Sequence, residues 1–530
     1  MRKRKMLIGV LTAAMLLGNV SPAMVQGAQA ADVTEVPAET ETEELATESA
    51  VTETKGEEMT ETAVTETEEQ MESGSNQSVS ETQVQEATET SEDVIKVEEV
   101  EDENGFIIDD GILTGYYGSG GDIVIPEGVT SIEERVFQDC NSITSVSIPG
   151  SVTDIGKFAF LWCENLTHVK MAEGVKNIGY DAFGSCKRLV SINIPGSVMS
   201  IGENTFCSCE NLKSVSIADG VTSIGEYAFS KCSNLTSINI PKSVISIGEY
   251  AFSECSSLKS IELSEGVTSI GAAAFGGCSR LTDINIPDGI MSIESATFYE
   301  CSNLTSISIP QSVTSIGERA FFGCSSLTDI NIPQSVTSIG EDAFFGCSSL
   351  TDISIPDSIT RIESSTFYGC SKLGAISIPK SVTSIGRTAF YECTNLSSIT
   401  LPDGIKDIEE DAFGKCSSMK NVALPNGVTT IKNGTFLDCS SLINVSVPVS
   451  VTSIEDSAFE GCSSLTGIML PNGLKNIGMG AFDSCTSLTS INIPESVTNI
   501  ECGAFSDCSS LTSFTIPKYV TCIESGTFKG

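Results

Sequence analysis

Histidine and tryptophan are almost absent from this 530-residue chain, with one of each, His168 and Trp162. Imidazole is the side chain most used for proton transfer near neutral pH and the commonest metal ligand. A chain with a single copy therefore has little from which to build a catalytic or metal centre. Basic residues are also scarce, 29 against 70 acidic ones, for a formal charge of −41. Nucleic acid is disfavoured as a partner, because binding it needs cationic patches that release counterions from phosphate. Long apolar runs are missing too. The stretch from Met6 to Leu17 is the longest, and a membrane-spanning helix needs about 20 such residues.

That stretch follows Arg2, Lys3, Arg4 and Lys5 and precedes Ala28-Gln29-Ala30. A basic start, a short apolar segment and a small-residue cleavage site together make an export signal over residues 1–30, with no membrane insertion after cleavage. Residues 31–104 hold Glu and Thr, with 25 acidic residues against Lys55 and Lys96, a charge of −23. Self-repulsion and low hydrophobicity predict a disordered acidic linker. Residues 105–530 then carry −22, spread thinly.

What the chain does have is a beat. Cysteine stands at Cys140 and every 23 residues thereafter to Cys508, seventeen in register out of 20. Phenylalanine keeps the same period from Phe137 to Phe528, and isoleucine from Ile132 to Ile523. A period in this range marks a solenoid, in which each unit is stabilised by its neighbours. The expected organisation is one array over residues 105–530: a cap at about 105–122, then about eighteen 23-residue repeats, the last incomplete.

The segment from Cys324 to Phe344 serves as a specimen. Leu327, Ile330 and Ile332 give Leu-x-x-Ile-x-Ile, whose final part alternates with period two, as a strand with one buried face does. Pro333 ends that strand by removing a backbone donor. Val336 and Ile339 mark a second short extended or turning segment. Glu341-Asp342-Ala343-Phe344 suits a single helical turn with acidic residues at its start. Gly340 resembles an obligatory left-handed position, yet Glu133, Glu294, Glu363 and Lys432 stand there in other repeats, so a positive φ is not expected.

Leu-x-x-Ile-x-Ile-Pro followed by Val-x-x-Ile-Gly-x-x-Ala-Phe-x-x-Cys resembles the BspA-like (Treponema pallidum-type, 23-residue) class of bacterial leucine-rich repeats, across residues 105–530. The opening Gly111-Ile112-Leu113-Thr114-Gly115-Tyr116-Tyr117-Gly118 resembles the cap of such proteins. The resemblance implies an α/β solenoid: a right-handed array with a parallel β-sheet on the concave face, and short strands and helical turns on the convex side. Where the better-known leucine-rich pattern has asparagine after the strand, this chain has Ser335 or Gly289, so its turn chemistry must differ.

Seventeen stacked cysteines invite a disulfide or metal ladder. Equivalent side chains in a stack point the same way, however, and zinc wants clustered ligands, so buried free thiols are the better reading. The off-beat Cys207, Cys502 and Cys522 are the exceptions to watch. Outward strand positions offer the candidate ligand-binding strip: Ser237, Asn239, Asp283, Asn285, Asp329, Asn331, Asp352 and Ser354, small, polar and mildly acidic. Asp283, Asp329 and Asp352 suggest calcium only weakly, because no loop completes the coordination. No metal and no cofactor are expected. His168 and Lys170 beside Trp162 read as an imperfect early repeat more readily than as a local binding point. The triplets beginning at Asn165, Asn234 and Asn303 match a glycosylation pattern by coincidence.

The expected function is non-catalytic: a secreted or cell-surface protein that binds an extracellular protein or glycan on a host or microbial surface. Adhesion is what the resemblance adds. The alternative is a structural, self-associating component of the cell envelope, or the repeat region of a longer protein. The beat stops at Gly530, one residue before the next cysteine is due, which raises the expectation of an incomplete chain.

Overall fold

The computed structural model describes residues 102–530. The proposed export signal and nearly all of the acidic linker lie outside the described residues. The chain coils through about 17 turns, and two rows of short parallel strands run along it. The first row extends from Gly121–Val124 and Ile143–Ile148 to Ser490–Asn492, and the second from Ser131–Ile132 to Asn499–Ile500. Beyond a register shift at Gly121, pairing within a row joins residues one repeat apart. Ser306, Ile307 and Ser308 face Asp329, Ile330 and Asn331 in the first row, and Ser315 and Ile316 face Ser338 and Ile339 in the second. At Ile353 the first row thins to a single bridge between Ser354 and Ser377.

The alternation Ile-x-Ile buries one side of each strand, and proline then turns the chain. Val336 N–H donates to the Pro333 carbonyl (3.1 Å), closing a four-residue turn. The Ser335 hydroxyl donates to the Val313 carbonyl of the preceding repeat (2.7 Å). Serine here ties turn to turn, which is the chemistry that stands in place of the absent asparagine.

The third side of each coil corrects an expectation. No helical turn forms there, and the described residues contain no helix, so the α/β class gives way to a solenoid of strands and turns. Asp342 has φ 56° and Gly346 has φ 70°, and left-handed residues two before and two after Phe344 stop a right-handed helix from propagating. In compensation, alternate N–H groups bond across repeats. Asp342, Phe344 and Gly346 donate to the carbonyls of Ser364, Thr366 and Tyr368 at 3.1, 2.9 and 2.7 Å. The intervening Ala343 and Phe345 donate back within the repeat, to Gly340 and Asp342. From Asp342 to Gly346 every donor is satisfied without a helix. Gly340 is not among the left-handed residues. A Cβ there would lie 2.5 Å from the Glu318 nitrogen, so its glycine answers to close approach of the preceding coil.

The core is a set of columns. The phenylalanine rings stack from Phe137 onward, as at Phe321 and Phe344, with centroids 5.4 Å apart and planes within 2°. At the N-terminal end a hairpin, β1 (Phe106–Asp109) and β2 (Ile112–Tyr116), pairs antiparallel. It extends the column through Phe106 and Tyr116 onto Phe137, at centroid distances of 5.1 and 5.2 Å.

Candidate binding surface

Because the first-row isoleucines point inward, the residues on either side of them point out. Ser237, Asn239, Asp283, Asn285, Asp329, Asn331, Asp352 and Ser354 are all exposed, while Ile284 and Ile330 between them are 3 % exposed. Seven of the eight make no side-chain hydrogen bond with described residues. Asn285 is the exception: its Nδ2 donates to the Leu263 carbonyl (2.7 Å) and its Oδ1 accepts from the Leu263 N–H (2.8 Å). Its amide is spent on the neighbouring backbone.

The strip is bounded by threonines whose hydroxyls are already engaged. Thr282 donates to the Lys259 carbonyl and Thr328 to the Thr305 carbonyl, at 3.1 and 3.2 Å. In the same way Asn165, Asn234 and Asn303 each donate Nδ2 to the carbonyls of Asn141, Glu210 and Ser279 (2.8–2.9 Å). These amides stitch repeats together, which accounts for their recurrence. Asp283 and Asp329 stand two repeats apart with Ser306 between. Among the described residues no three His, Cys, Asp or Glu side chains gather as a metal site.

His168 and Lys170 lie on the strand His168–Met171 in the first row. Trp162 lies on the turn side, with φ 60°, so the structure places it outside the strand row that holds the other two. What does meet His168 is a line across adjacent strands, since Asp122 pairs with Ser145 and Ser145 with His168. Asp122 Oδ1 accepts from Ser145 Oγ (2.7 Å) and Thr144 Oγ1 (2.9 Å), and these donors hold its carboxyl below the usual range. His168 Nδ1 is bonded to Thr167 Oγ1 (2.9 Å). The imidazole does not stand between serine and carboxylate, as a base activating a hydroxyl would.

Comparison with known proteins places these coils among leucine-rich repeats. The model of the BspA type leucine-rich repeat region matches residues 116–236, 222–351, 337–453 and 429–530. The chain belongs to the BspA-type leucine-rich repeat family. Among solved structures it is similar to a leucine-rich repeat protein from Bacteroides ovatus (31% identity, covering 77% of this chain and 90% of that one, TM-score 0.48). It is also similar to a leucine-rich cell surface protein from Faecalibacterium prausnitzii (31%, 64% and 92%, TM-score 0.43) and to the leucine-rich repeat protein of T. pallidum (26%, 45% and 82%, TM-score 0.22). No curated protein matches.

In this BspA-type array the periodic cysteines face inward, and none of the 20 is paired. From Cys163 to Cys508 each Sγ donates to the carbonyl of the phenylalanine 26 residues earlier, as Cys324 does to Phe298 (3.2 Å). Burial pushes the thiols of Cys278, Cys370 and Cys439 up to about 12. Thiols held protonated and bonded to backbone are poor nucleophiles and poor metal ligands. Of the off-beat cysteines, Cys207 is half-buried, and Cys502 and Cys522 are exposed.

Two groupings went unrecognised in the sequence. One is the Asp122, Ser145 and His168 line, whose signal is the 23-residue spacing. The other is a second aromatic column, Tyr299, Phe322, Phe345, Tyr368 and Tyr391. Its signal is an aromatic residue directly after the core phenylalanine in five consecutive repeats.

Proposed function

We propose that this protein is a secreted or cell-surface binding protein that holds an extracellular protein, or a glycan on a host or microbial surface, along its first strand row. The observation that carries this reading is the strip itself. Seven exposed polar side chains stand in register with no internal hydrogen bond, so a ligand meets donors and acceptors whose only competitor is water. Rigid strands hold these groups at a spacing of about 4.8 Å between repeats, and such preorganisation lowers the ordering cost of binding. Membership in a bacterial leucine-rich repeat family, with a cell surface protein among similar structures, supports an interaction role. The same reading takes residues 1–30 as the export signal and 31–104 as a spacer that carries the array away from its point of attachment.

The test is saturable binding of the full chain to a panel of immobilised matrix proteins, plasma proteins and microbial-surface glycans. The triple variant Asn239→Arg, Asp329→Arg, Asn331→Arg, which adds bulk and reverses charge on the strip, is expected to abolish binding. No saturable partner in the panel, or an affinity unchanged in the variant, overturns the reading.

A further inference from the structure

The second strand row is not continuous. Among the described residues it divides between Ile178 and Ile201, Ile270 and Ile293, Ile339 and Ile362, and Ile408 and Ile431. Elsewhere two further backbone bonds tie each coil to the one before, as Thr337 N–H does to the Thr314 carbonyl (2.8 Å) and Gly340 N–H to the Ile316 carbonyl (2.9 Å). At the four seams neither bond forms. Met199 and Gly202, Met291 and Glu294, Thr360 and Glu363, and Thr429 and Lys432 do not donate to the preceding coil.

One residue type marks the seams. The position before the core phenylalanine holds alanine in twelve coils and threonine in five. Thr205, Thr297, Thr366 and Thr435 stand in the coils that follow the four seams, and Thr527 follows the last paired strand of the row, Asn499–Ile500. Glycine does not account for the pattern. Glu409 and Glu455 replace it and still donate across, at 2.9 and 2.8 Å, whereas Gly202 keeps it and does not. The four threonines are buried, and each hydroxyl donates to the carbonyl three residues back, at 2.7–2.8 Å. Threonine adds a hydroxyl and a methyl group where the packed coils otherwise hold a Cβ alone, and overpacking of this kind is relieved by backbone shifts. The coils are spread accordingly. Phenylalanine centroids lie 5.5, 5.9, 5.7 and 5.7 Å apart across the four seams. Each of these steps exceeds both of its neighbours, which run from 4.9 to 5.6 Å. At the second seam a cavity of about 280 Å³ opens, lined by Thr268, Ile270, Met291 and Glu294 among others.

We infer that the array is jointed at these four seams, and that each threonine sets a joint by holding the second row open. The turn side stays bonded across every seam, where Phe183, Phe275, Phe344 and Phe413 donate to the carbonyls of Thr205, Thr297, Thr366 and Thr435 at 2.9–3.0 Å. The first row is paired across three of them, through Ser191, Asp283 and Asn421. Across the seam before Thr366 it has no strand pairing among the described residues, which makes that joint the loosest. Each coil interface of a repeat array contributes separately to stability, so motion concentrates at the interfaces that have lost bonds. A block of coils that pivots on its bonded sides tilts relative to the next, and the strand strip changes its angle at the joint. The inference concerns bending of the array and stands whether or not the strip holds a ligand.

The test is pulsed dipolar electron spin resonance on the full chain, with nitroxides carried on a noncanonical ketone-bearing residue so that the cysteines are left alone. Labels at Ser315 and Ser384 span three coil steps and one seam, and labels at Ser200 and Ser269 span three steps and none. The first pair is expected to give the broader distance distribution. Thr366→Ala, which installs the residue that most coils carry, should remove the excess width. Hydrogen exchange at Thr360 and Glu363 should slow roughly tenfold in the same variant, as each amide gains a hydrogen bond. Ala251→Thr, confirmed as folded by circular dichroism, should broaden the Ser200–Ser269 distribution. Equal widths for the two pairs in the wild type overturn the inference. So does excess width or fast exchange that persists in Thr366→Ala, or a folded Ala251→Thr whose distribution stays narrow.

Discussion

The strand side and the turn side of each coil bury the same core and repeat at the same period, yet they tolerate change differently. On the strand side the backbone is extended, a conformation open to every L-residue, and the outward positions run through Ser, Asn, Asp, Glu and Lys without disturbing the pairing at Ile330 or Ile284. On the turn side two residues per repeat are left-handed, as at Asp342 and Gly346. There the cross-repeat hydrogen bonds depend on backbone conformation as well as on the period. One side is therefore free to acquire a ligand surface, whereas the other is constrained by the fold.

Alkaline pH should test the constrained side most severely. Unfolded thiols have the ordinary value of 9.0, and those of Cys278, Cys370 and Cys439 are raised to about 12 by burial. With the folded value above the unfolded one, the unfolded state releases protons first as pH rises. Stability is then retained below pH 9 and lost progressively between about 9 and 12. Denaturant midpoints measured across that window should fall steeply. A triple variant with alanine at these three positions should show a shallower slope.

A core truncation beneath the turns comes next. Phe344 is fully buried between Phe321 and Phe367, at centroid distances of 5.4 and 5.7 Å. Phe344→Ala is expected to cost about 3–5 kcal/mol. Asn331→Ala, on the strand side of the same coil, should stay within about 0.5 kcal/mol. Equilibrium denaturation of the two variants gives the contrast directly.

The finest distinction uses one substitution at two serines. Ser457 has φ 51° on the turn side, and Ser398 is exposed in the strand Ser398–Thr400. Ser457→Gly relieves left-handed strain and should stabilise by up to about 1 kcal/mol. Ser398→Gly adds backbone freedom to a strand and should destabilise by about 0.5–1 kcal/mol. Equal signs in thermal melts would dissolve the distinction between the two sides.

Legibility in the sequence followed the same division. The strand Ile-x-Ile and the proline that ends it could be read directly, because period-two burial and a missing donor are local properties of the chain. The third side was misread as a helical turn from Glu341-Asp342-Ala343-Phe344. Acidic residues at the start of a turn favour a helix in isolation, but here the N–H groups find carbonyls in the next coil. The strip residues could be named from alternation alone. That Asn285 is committed to Leu263 while Asn331 is free could not, because the difference lies in where one strand pairing is interrupted.

The sequence by itself determined the period, the inward columns of Ile, Phe and Cys, and the membership in a repeat family, because a residue that must be buried in every coil has to recur at every coil. The tertiary structure decided what depends on one coil lying against the next. It set the left-handed turns satisfied by neighbours, the thiols bonded to a carbonyl 26 residues away, the alignment of Asp122, Ser145 and His168, and the second aromatic column. Stacking turns separations of one repeat into contacts, and hydrogen-bond geometry across that contact then selects the backbone conformation that local preference leaves open.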